Sequence, residues 1–253
     1  MSLEEFHAEI ESGERFEFGK NWKAFLKKLN KERIEQAENS LKIMLGVKNL
    51  VGKTFVDVGS GSGLFSLAAK NLGASVVSFD FDKSSVWCTK ELKNRFYKTN
   101  TDWKIIHGSI LDKKFLVSLG KFDYVYSWGV LHHTKNTREA FSKVCSQVKK
   151  GGMLHIMVYN KENDWAYDGY RGDTCVAKHE EWEKLTFKEQ IEMCKNKVKS
   201  DGGDVHGWFD AFNPKFNWSH SADEVKQWFE EEGFTNIKLR MIKQNINMNG
   251  ILE

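Results

Sequence analysis

The sequence predicts an α/β fold in which a Rossmann-like, mostly parallel sheet carries helices on both faces. A β-branched run over residues 54–58 precedes three closely spaced glycines, and apolar residues then recur at helical spacing. Further strand-like runs alternate with helical segments through the first 160 residues, an order that produces parallel strands. The chain has one proline in 253 residues and no linker-like stretch, so we expect one domain over residues 1–253.

The composition is that of an ordinary globular chain. Hydrophobic residues make up 40% and charged residues 29%, and the net charge of +3 argues against a dedicated nucleic-acid binder. No apolar run approaches the roughly 20 residues of a membrane span, and the first residues lack the features of a signal peptide. Four cysteines without C-x-x-C spacing indicate reduced thiols, so we expect a cytoplasmic protein.

The first 50 residues contain an amphipathic segment. Apolar residues between 22 and 29 follow helical spacing, with lysines between them. The aromatic stretch 15–22 is either a helix that caps the sheet edge or part of a lid over a ligand. As an N-terminal helical lid within residues 1–50, it would bring Trp22 to that ligand.

The glycine cluster indicates a ligand site. Gly59, Gly61 and Gly63 follow a strand and open a helix, so backbone N–H groups and the positive helix end face a bound molecule. The dinucleotide fingerprint G-x-G-x-x-G would need a glycine where this chain has Leu64, and Asp57 precedes the cluster. A carboxylate is a poor neighbour for a pyrophosphate and a good one for a cation. The residues therefore favour S-adenosylmethionine (SAM), which has two cationic groups and no phosphate, over NAD.

The second and third strands supply further candidates for cofactor binding. The second strand ends in Asp80, about twenty residues beyond the glycines, where an acid accepts the hydroxyls of a ribose, and Phe81 follows it. The turn after the third strand is expected to line the adenine through Ser109, Ile110 and Asp112. Asp112 equally suits the role of N-cap for the next helix.

The fourth strand ends in Ser127 and Trp128 and leads to two adjacent histidines, His132 and His133. Ligands of open α/β sheets bind at the carboxyl ends of the strands, so this turn should face the glycine cluster across a crevice. Successive side chains diverge and no cysteine or carboxylate lies at ligand spacing, so we predict no metal site. One of the two histidines is expected to line the site, as a base or as a packing residue.

The remaining elements complete the sheet. The alternating part continues with a helix over 137–148, a turn at 149–152 and a fifth strand over 153–159. A helix over 221–232 and strands near 237–240 and 250–252 then close the sheet with an antiparallel edge.

Residues 160–220 interrupt the alternation. The segment is rich in aromatic residues and is expected to form an inserted cap, whose aromatic side chains make either a small core of their own or the wall of a substrate pocket. The candidate pocket residues, one at the end of the fifth strand and the others in the insert, are Tyr159, Tyr170, Arg171, His206, Trp208 and Phe209.

Together these stretches resemble class I SAM-dependent methyltransferases. The matching segments are Val56–Gly63, Phe79–Asp80, Gly108–Asp112, Phe122–Ser127, Val130–His133, Lys150–Gly152 and Ser221–Phe234. The resemblance implies a seven-stranded sheet with an antiparallel last strand, and SAM lying across the strand ends and leaving as S-adenosylhomocysteine (SAH). It also implies roles for the site residues: Asp57 and the three glycines at the methionine end, Asp80 at the ribose, Ser109 and Ile110 at the adenine, and Ser127 and Trp128 near the sulfonium.

The Leu-His-His sequence after the fourth strand resembles a subgroup rich in small-molecule methyltransferases. Asn-Pro-Pro-Tyr is missing there, which argues against methylation of nucleic-acid bases or glutamine. Segments 18–22 and 206–210 loosely resemble bacterial enzymes of surface-glycan or secondary metabolism. We therefore predict methyl transfer to an oxygen of a small-molecule acceptor, with His133 or His132 as the general base. The alternatives are a methyltransferase acting on RNA or protein, an NAD enzyme and a non-catalytic SAM-binding module.

Overall fold

A computed structural model of the chain describes Leu26 and residues 29–98, 102–242 and 245–253. The strands are β1 (Thr54–Val58), β2 (Ser75–Asp80), β3 (Trp103–His107), β4 (Phe122–Trp128), β5 (Val148–Asn160), β6 (Ser219–His220), β7 (Phe234–Ile242) and β8 (Asn245–Leu252). The helices are α1 (Lys31–Leu45), α2 (Leu64–Asn71), α3 (Lys83–Phe96), α4 (Lys113–Leu119), α5 (Thr137–Cys145), α6 (Cys175–Trp182), α7 (Phe187–Asp201), α8 (Val205–Phe212) and α9 (Ala222–Glu231).

The sheet confirms the predicted Rossmann-like architecture. Seven strands run in the order β3-β2-β1-β4-β5-β8-β7, and the two-residue strand β6 pairs with β5 outside this path. Strands β1 to β5 are parallel, whereas β8 is antiparallel to both of its neighbours. The last strand is therefore antiparallel as expected, but it lies between β5 and β7, and β7 forms the edge.

Two hydrophobic cores cover the faces of the sheet. Helices α1, α2 and α3 pack on one face, where Phe55 of β1 and Leu67 of α2 are buried. Helices α4, α5 and α9 pack on the other face, where Val125 of β4 and Phe141 of α5 are buried. This arrangement confirms the prediction of helices on both faces. None of the helices in the described part of the chain is long and apolar enough to cross a membrane.

Two local predictions differ from the structure at the start of β5. Helix α5 ends at Cys145, three residues before Val148, and the predicted turn 149–152 belongs to the strand. The reason is that Val148 already pairs with Phe122, and an irregularity in the pairing follows. By contrast, Ser221 caps α9 with a full capping box, as the sequence indicated.

The insert between β5 and β6 has a core of its own. Two 3₁₀ turns, Lys161–Tyr167 and Gly172–Thr174, precede the helices α6, α7 and α8. Buried side chains of these elements pack together, and they are Tyr170, Trp182, Cys194, Phe209, Ala211 and Phe212. The sequence left two alternatives for the aromatic residues of the insert. Most of these residues form an internal core.

Candidate active site

The loop between β1 and α2 packs tightly against two other elements. Gly59, Gly61 and Gly63 all have positive φ values, of 75°, 52° and 79°. A Cβ atom on Gly59 would lie 2.4 Å from a methyl group of Val130, in the turn after β4, and one on Gly63 would lie 2.8 Å from Thr89 of α3. The glycine loop and the turn that carries the histidines are therefore in direct contact.

Asp57 accepts the last hydrogen bond of a buried chain. The Trp103 indole Nε1 donates to Ser78 Oγ at 2.8 Å, Ser78 Oγ donates to Ser66 Oγ at 2.7 Å, and Ser66 Oγ donates to Asp57 Oδ2 at 2.5 Å. An indole N–H can only donate, so Ser78 accepts from Trp103 and its own hydroxyl proton is available for Ser66, which in turn donates to the ionised carboxylate of Asp57. Burial nevertheless raises the pKa of Asp57 to about 7.

Asp80 lies at the end of β2, beside the glycine loop. Its carboxylate accepts the Gly61 N–H at 2.9 Å and the Asp82 N–H at 2.8 Å. Burial raises the pKa of Asp80 to about 6, and its charge contributes to the raised pKa of Asp57. Within the described residues, no lysine, arginine or histidine nitrogen lies within 4.0 Å of either group. This carboxylate cluster, Asp57 and Asp80, therefore suits a cation or hydroxyl donors far better than a phosphate.

An aromatic surface lies next to the carboxylate cluster. The Phe81 side chain is 64% exposed, and its ring stacks on His107 with centroids 6.3 Å apart. His107 Nε2 donates to the Phe81 carbonyl at 2.8 Å, which holds the pair together. His107 was not among the predicted site residues. The available signal was its place at the end of β3, in register with Asp80.

The turn after β3 uses its polar groups locally. Ser109 Oγ accepts the Leu111 N–H at 3.1 Å, and Ile110 is buried in the core. Asp112 accepts the backbone N–H groups of Lys114 and Phe115, so its carboxylate caps α4. Asp112 is therefore the N-cap of α4, one of the two roles that the sequence allowed. Leu111, which is 44% exposed, lies on the surface of this turn.

The end of β4 is held to its neighbours. Ser127 is fully buried and its hydroxyl donates to the Val58 carbonyl at 3.3 Å, so it ties β4 to β1. Trp128 stacks on His155 of β5 and packs at a tilt against Phe65 of α2, with centroid distances of 6.3 and 5.5 Å. The predicted contact of Trp22 falls outside the described residues.

The two histidines lie in a 3₁₀ turn directly after β4 and differ in their surroundings. His133 Nδ1 lies 3.0 Å from the Phe216 carbonyl, which can only accept, so Nδ1 carries the proton and Nε2 is the basic nitrogen. His132 is fully buried, with its ring 3.9 Å from that of Tyr159 and 4.1 Å from that of His133. Neither ring nitrogen of His132 has a hydrogen-bond partner among the described residues.

Burial keeps both imidazoles neutral at pH 7. It lowers the pKa of His133 to about 4, and the hydrogen bond to Phe216 only partly offsets this effect. Burial also lowers the pKa of His132 well below the ordinary value, and the charge of Arg171 adds to both shifts. The turn therefore presents one neutral imidazole with an unprotonated Nε2 and, next to it, a second one that is enclosed.

Arg171 of the insert lies between two tyrosine rings. Its guanidinium carbon is 3.4 Å from the ring centre of Tyr159, at the end of β5, and 3.3 Å from that of Tyr167. The side chain is only 6% exposed, and its Nε has no hydrogen-bond partner among the described residues. His132, His133, Tyr159 and Arg171 form what we call the histidine–arginine cluster.

The other predicted pocket residues lie elsewhere in the insert. Tyr170 and Phe209 are buried in its core, because their rings pack on Trp182 and Phe212. Trp208 donates its indole N–H to the Gly202 carbonyl at 2.7 Å. The side chain of His206 is outside what the structure describes. Across the described part of the chain, no group of three His, Cys, Asp or Glu side chains is placed to hold a metal ion.

Comparison with known proteins identifies the family. A family model described as "Methyltransferase domain" matches residues 25–239, most of the chain. The chain belongs to the class I SAM-dependent methyltransferases. A ubiquinone biosynthesis O-methyltransferase from Pelagibacter ubique is 32% identical over 129 residues, which are 50% of this chain and 50% of the relative. The mitochondrial enzyme of that name from Schizosaccharomyces pombe is 29% identical over 44% of this chain and 39% of its own.

This methyltransferase therefore spans half or less of the curated relatives that it matches. Among solved structures, a SAM-dependent methyltransferase from Aquifex aeolicus superposes with a TM-score of 0.57 at 15% identity, over 94% of this chain and 100% of that one. At this identity the likeness establishes the shared fold.

The residues present fit the cofactor of the family. SAM carries two cationic groups, a ribose and an adenine. The carboxylate cluster offers desolvated negative charge for the cations and acceptor oxygens for the ribose hydroxyls. The exposed ring of Phe81 offers a flat apolar surface for the adenine.

Proposed function

We propose that this chain transfers a methyl group from SAM to an oxygen atom of a small-molecule acceptor. One observation carries the proposal: the turn that holds His133 packs directly on the glycine loop, through Val130 and Gly59. A basic imidazole nitrogen and the cofactor loop would thus line one crevice at the carboxyl ends of β1 and β4. The two relatives described above are O-methyltransferases by name, which supports oxygen as the acceptor atom.

The cofactor half of the crevice would be formed by residues already arranged for it. Asp57 and the glycine loop would hold the methionine end, Asp80 the ribose, and Phe81 the adenine. When bound, SAM supplies a methyl group on a positively charged sulfur, open to attack in line by an oxygen nucleophile. The protein contributes the alignment of the two reactants, which can supply much of the rate.

On the acceptor side, His133 would take the proton of the acceptor hydroxyl. Its Nδ1 is committed to the Phe216 carbonyl, so Nε2 is the nitrogen that accepts. Its pKa of about 4 keeps the ring unprotonated throughout the neutral range. His132, enclosed between two rings, would position its neighbour and Tyr159.

The insert, residues 160–220, would cap the acceptor side of the crevice. It supplies Arg171 and Tyr167 against Tyr159, and the Phe216 carbonyl that orients His133. Because the insert has a core of its own, it can hold these groups rigidly.

The test is transfer of labelled methyl from SAM into an extract of the organism that encodes the chain, separated into small-molecule, RNA and protein fractions. We expect label in the small-molecule fraction and none with the Asp57→Ala variant. The His133→Gln variant should bind SAM normally and transfer little label. Label confined to RNA or protein would contradict the proposal. SAM binding without transfer to any fraction would favour a non-catalytic module.

A further inference from the structure

We propose that the acceptor carries an anionic group, a carboxylate or a phosphate, which binds the guanidinium of Arg171. This inference rests on the proposed function, because it names the chemical class of the acceptor at the same site. It names the protein group that would bind a part of the acceptor that does not react.

Arg171 is a buried cation that has no anionic partner in the described part of the chain. Its side chain is 6% exposed, yet within the described residues no carboxylate oxygen lies within 4.0 Å of the guanidinium, and Nε has no hydrogen-bond partner. A charged side chain that is removed from water is normally paired. The missing partner is thus an oxyanion that the described residues do not supply.

Asp164 is the acidic residue that comes closest to filling this role, and it is engaged elsewhere. Its Oδ2 accepts the Ser219 hydroxyl at 2.6 Å, while Oδ1 is buried and has no hydrogen-bond partner among the residues that the structure describes. Burial raises the pKa of Asp164, and the charge of Arg171 only partly offsets this effect. Asp164 therefore lies near Arg171 without forming an ion pair with it.

The two tyrosines decide how a ligand can approach. The guanidinium carbon lies over the faces of Tyr159 and Tyr167, at 3.4 and 3.3 Å from the ring centres. These contacts stabilise the cation, but the ring faces supply no oxygen acceptor to its N–H groups. We therefore expect a ligand to approach the edge of the guanidinium, where the N–H groups point. A carboxylate or phosphate binds that edge through two parallel N–H···O bonds in the same plane.

The geometry also limits the distance between the anionic group and the reacting hydroxyl of the acceptor. The ring centre of Tyr159 is 3.4 Å from the Arg171 guanidinium carbon and 5.5 Å from the ring centre of His133, so these two groups are at most about 9 Å apart. An acceptor anchored at Arg171 would present its hydroxyl to His133 across about the width of one sugar or aromatic ring. The acceptor would thus carry its anionic group and its reacting hydroxyl about one ring apart.

The direct test uses simple anions as probes. We would titrate inorganic phosphate and, separately, benzoate into the SAH-loaded protein by calorimetry, at constant ionic strength. We expect saturable binding of at least one anion, weakened at least tenfold in Arg171→Met and less in Arg171→Lys, which keeps the charge but loses the paired N–H groups. The matched control is Arg138→Met, because Arg138 already forms ion pairs with Glu231 and Glu232 on the surface. Asp164→Asn should keep or strengthen binding.

The outcomes separate this inference from the proposed function. Unchanged SAH affinity in all variants shows that they fold. Phosphate binding alone indicates a phosphate ester, and benzoate binding alone indicates a carboxylate. No saturable binding of either anion, or binding that survives Arg171→Met, overturns the inference and leaves the proposed function standing. If SAH does not bind to the unmodified chain, the proposed function fails, and the same titrations without SAH still decide the role of Arg171.

The extract experiment provides a second, independent measurement. The labelled product should be retained on an anion-exchange resin at neutral pH. A labelled product that is neutral or cationic would support methyl transfer and overturn the anionic acceptor.

Discussion

The carboxylate cluster and the histidine–arginine cluster both bury charged or titratable groups at the same edge of the sheet, but they satisfy them differently. Asp57 and Asp80 accept hydrogen bonds from Ser66, Gly61 and Asp82. Both ring nitrogens of His132 and the Nε of Arg171 have no partner among the described residues. One cluster is organised by the protein itself, whereas the other lacks part of its hydrogen bonding until a ligand arrives.

Substitutions in the two clusters should therefore have different effects. Changes in the carboxylate cluster should act on cofactor affinity and on the stability of the free protein, because its interactions exist before any ligand binds. Changes in the histidine–arginine cluster should act mainly on turnover and acceptor binding.

The largest effect should come from substitution of His133. If turnover did not fall, the contrast between the two clusters would be wrong. We expect His133→Gln to lower kcat by about 10² to 10⁴, the usual contribution of a general base, with SAM affinity unchanged. His155→Phe is the control, because His155 is also a neutral histidine but is buried within the sheet, where it stacks on Trp128. Steady-state kinetics on the labelled acceptor would decide. A tenfold loss or less would assign His133 to packing.

Asp57 should show the next largest effect. We expect Asp57→Asn to weaken SAM binding about 100-fold in calorimetry, because a charge-assisted contact in a water-poor site is lost. Asp123→Asn serves as the control, because Asp123 lies at the other end of β4, where it binds Thr54 and Lys149. Equal affinities of the two variants for SAM would contradict the role of Asp57.

The same two variants should change stability with opposite signs. Burial raises the pKa of Asp57 to about 7, so the folded state prefers its protonated form and loses stability as the pH rises from about 4 to 7. Burial also opposes ionisation of Asp123, but bonds from Thr54 and Lys149 outweigh it and lower its pKa to about 2. At pH 8, ligand-free Asp57→Asn should therefore gain about 2 kcal/mol and Asp123→Asn lose about 1 kcal/mol, measured by urea unfolding.

A further loss of stability is expected where the glycine loop contacts the turn after β4. Gly59→Ala combines a left-handed backbone with a Cβ 2.4 Å from Val130, and should cost about 2 to 4 kcal/mol of folding free energy. Gly46→Ala, with a φ of 69° but no described atom within 4 Å of the added Cβ, should cost only about 1 kcal/mol. Adding Val130→Ala should recover part of the loss at Gly59 and none at Gly46. Equal losses of folding free energy in Gly59→Ala and Gly46→Ala would mean that the cost comes from the left-handed backbone alone.

The smallest effect should be a shift in pH dependence. SAM affinity should fall as the pH drops below about 7, because protonation removes the charge of Asp57. Ser66→Ala deletes the donor that favours the ionised form, so the midpoint should move upward by about one pH unit. Ser118→Ala, whose hydroxyl binds only its own helix, should leave the midpoint in place. A midpoint that does not move in Ser66→Ala would exclude Asp57 as the titrating group.

Much of the cofactor half was predictable from contiguous residues. A strand, a glycine cluster and a helix follow one another in residues 54–71, and Asp80 ends the next strand. Parallel strands bring their carboxyl ends together, so the order of the elements already placed Asp57, Asp80 and His133 at one edge. The same order did not reveal that β8 lies inside the sheet, because the pairing of β5 with β8 depends on contacts between distant segments.

By itself, the sequence determined the alternating architecture, the glycine loop and the helix cap at Ser221, because these depend on periodicity and on residues a few positions apart. It left Asp112 open between a helix cap and a contact with the adenine, and the structure shows the cap. Only the tertiary structure decided which histidine nitrogen is basic, since the carbonyl that orients His133 is 83 residues away. It also decided that Arg171 lies between Tyr159 and Tyr167 rather than in solvent. Both facts depend on how the insert packs over the end of β5, and long-range packing of this kind leaves no local periodicity in the sequence.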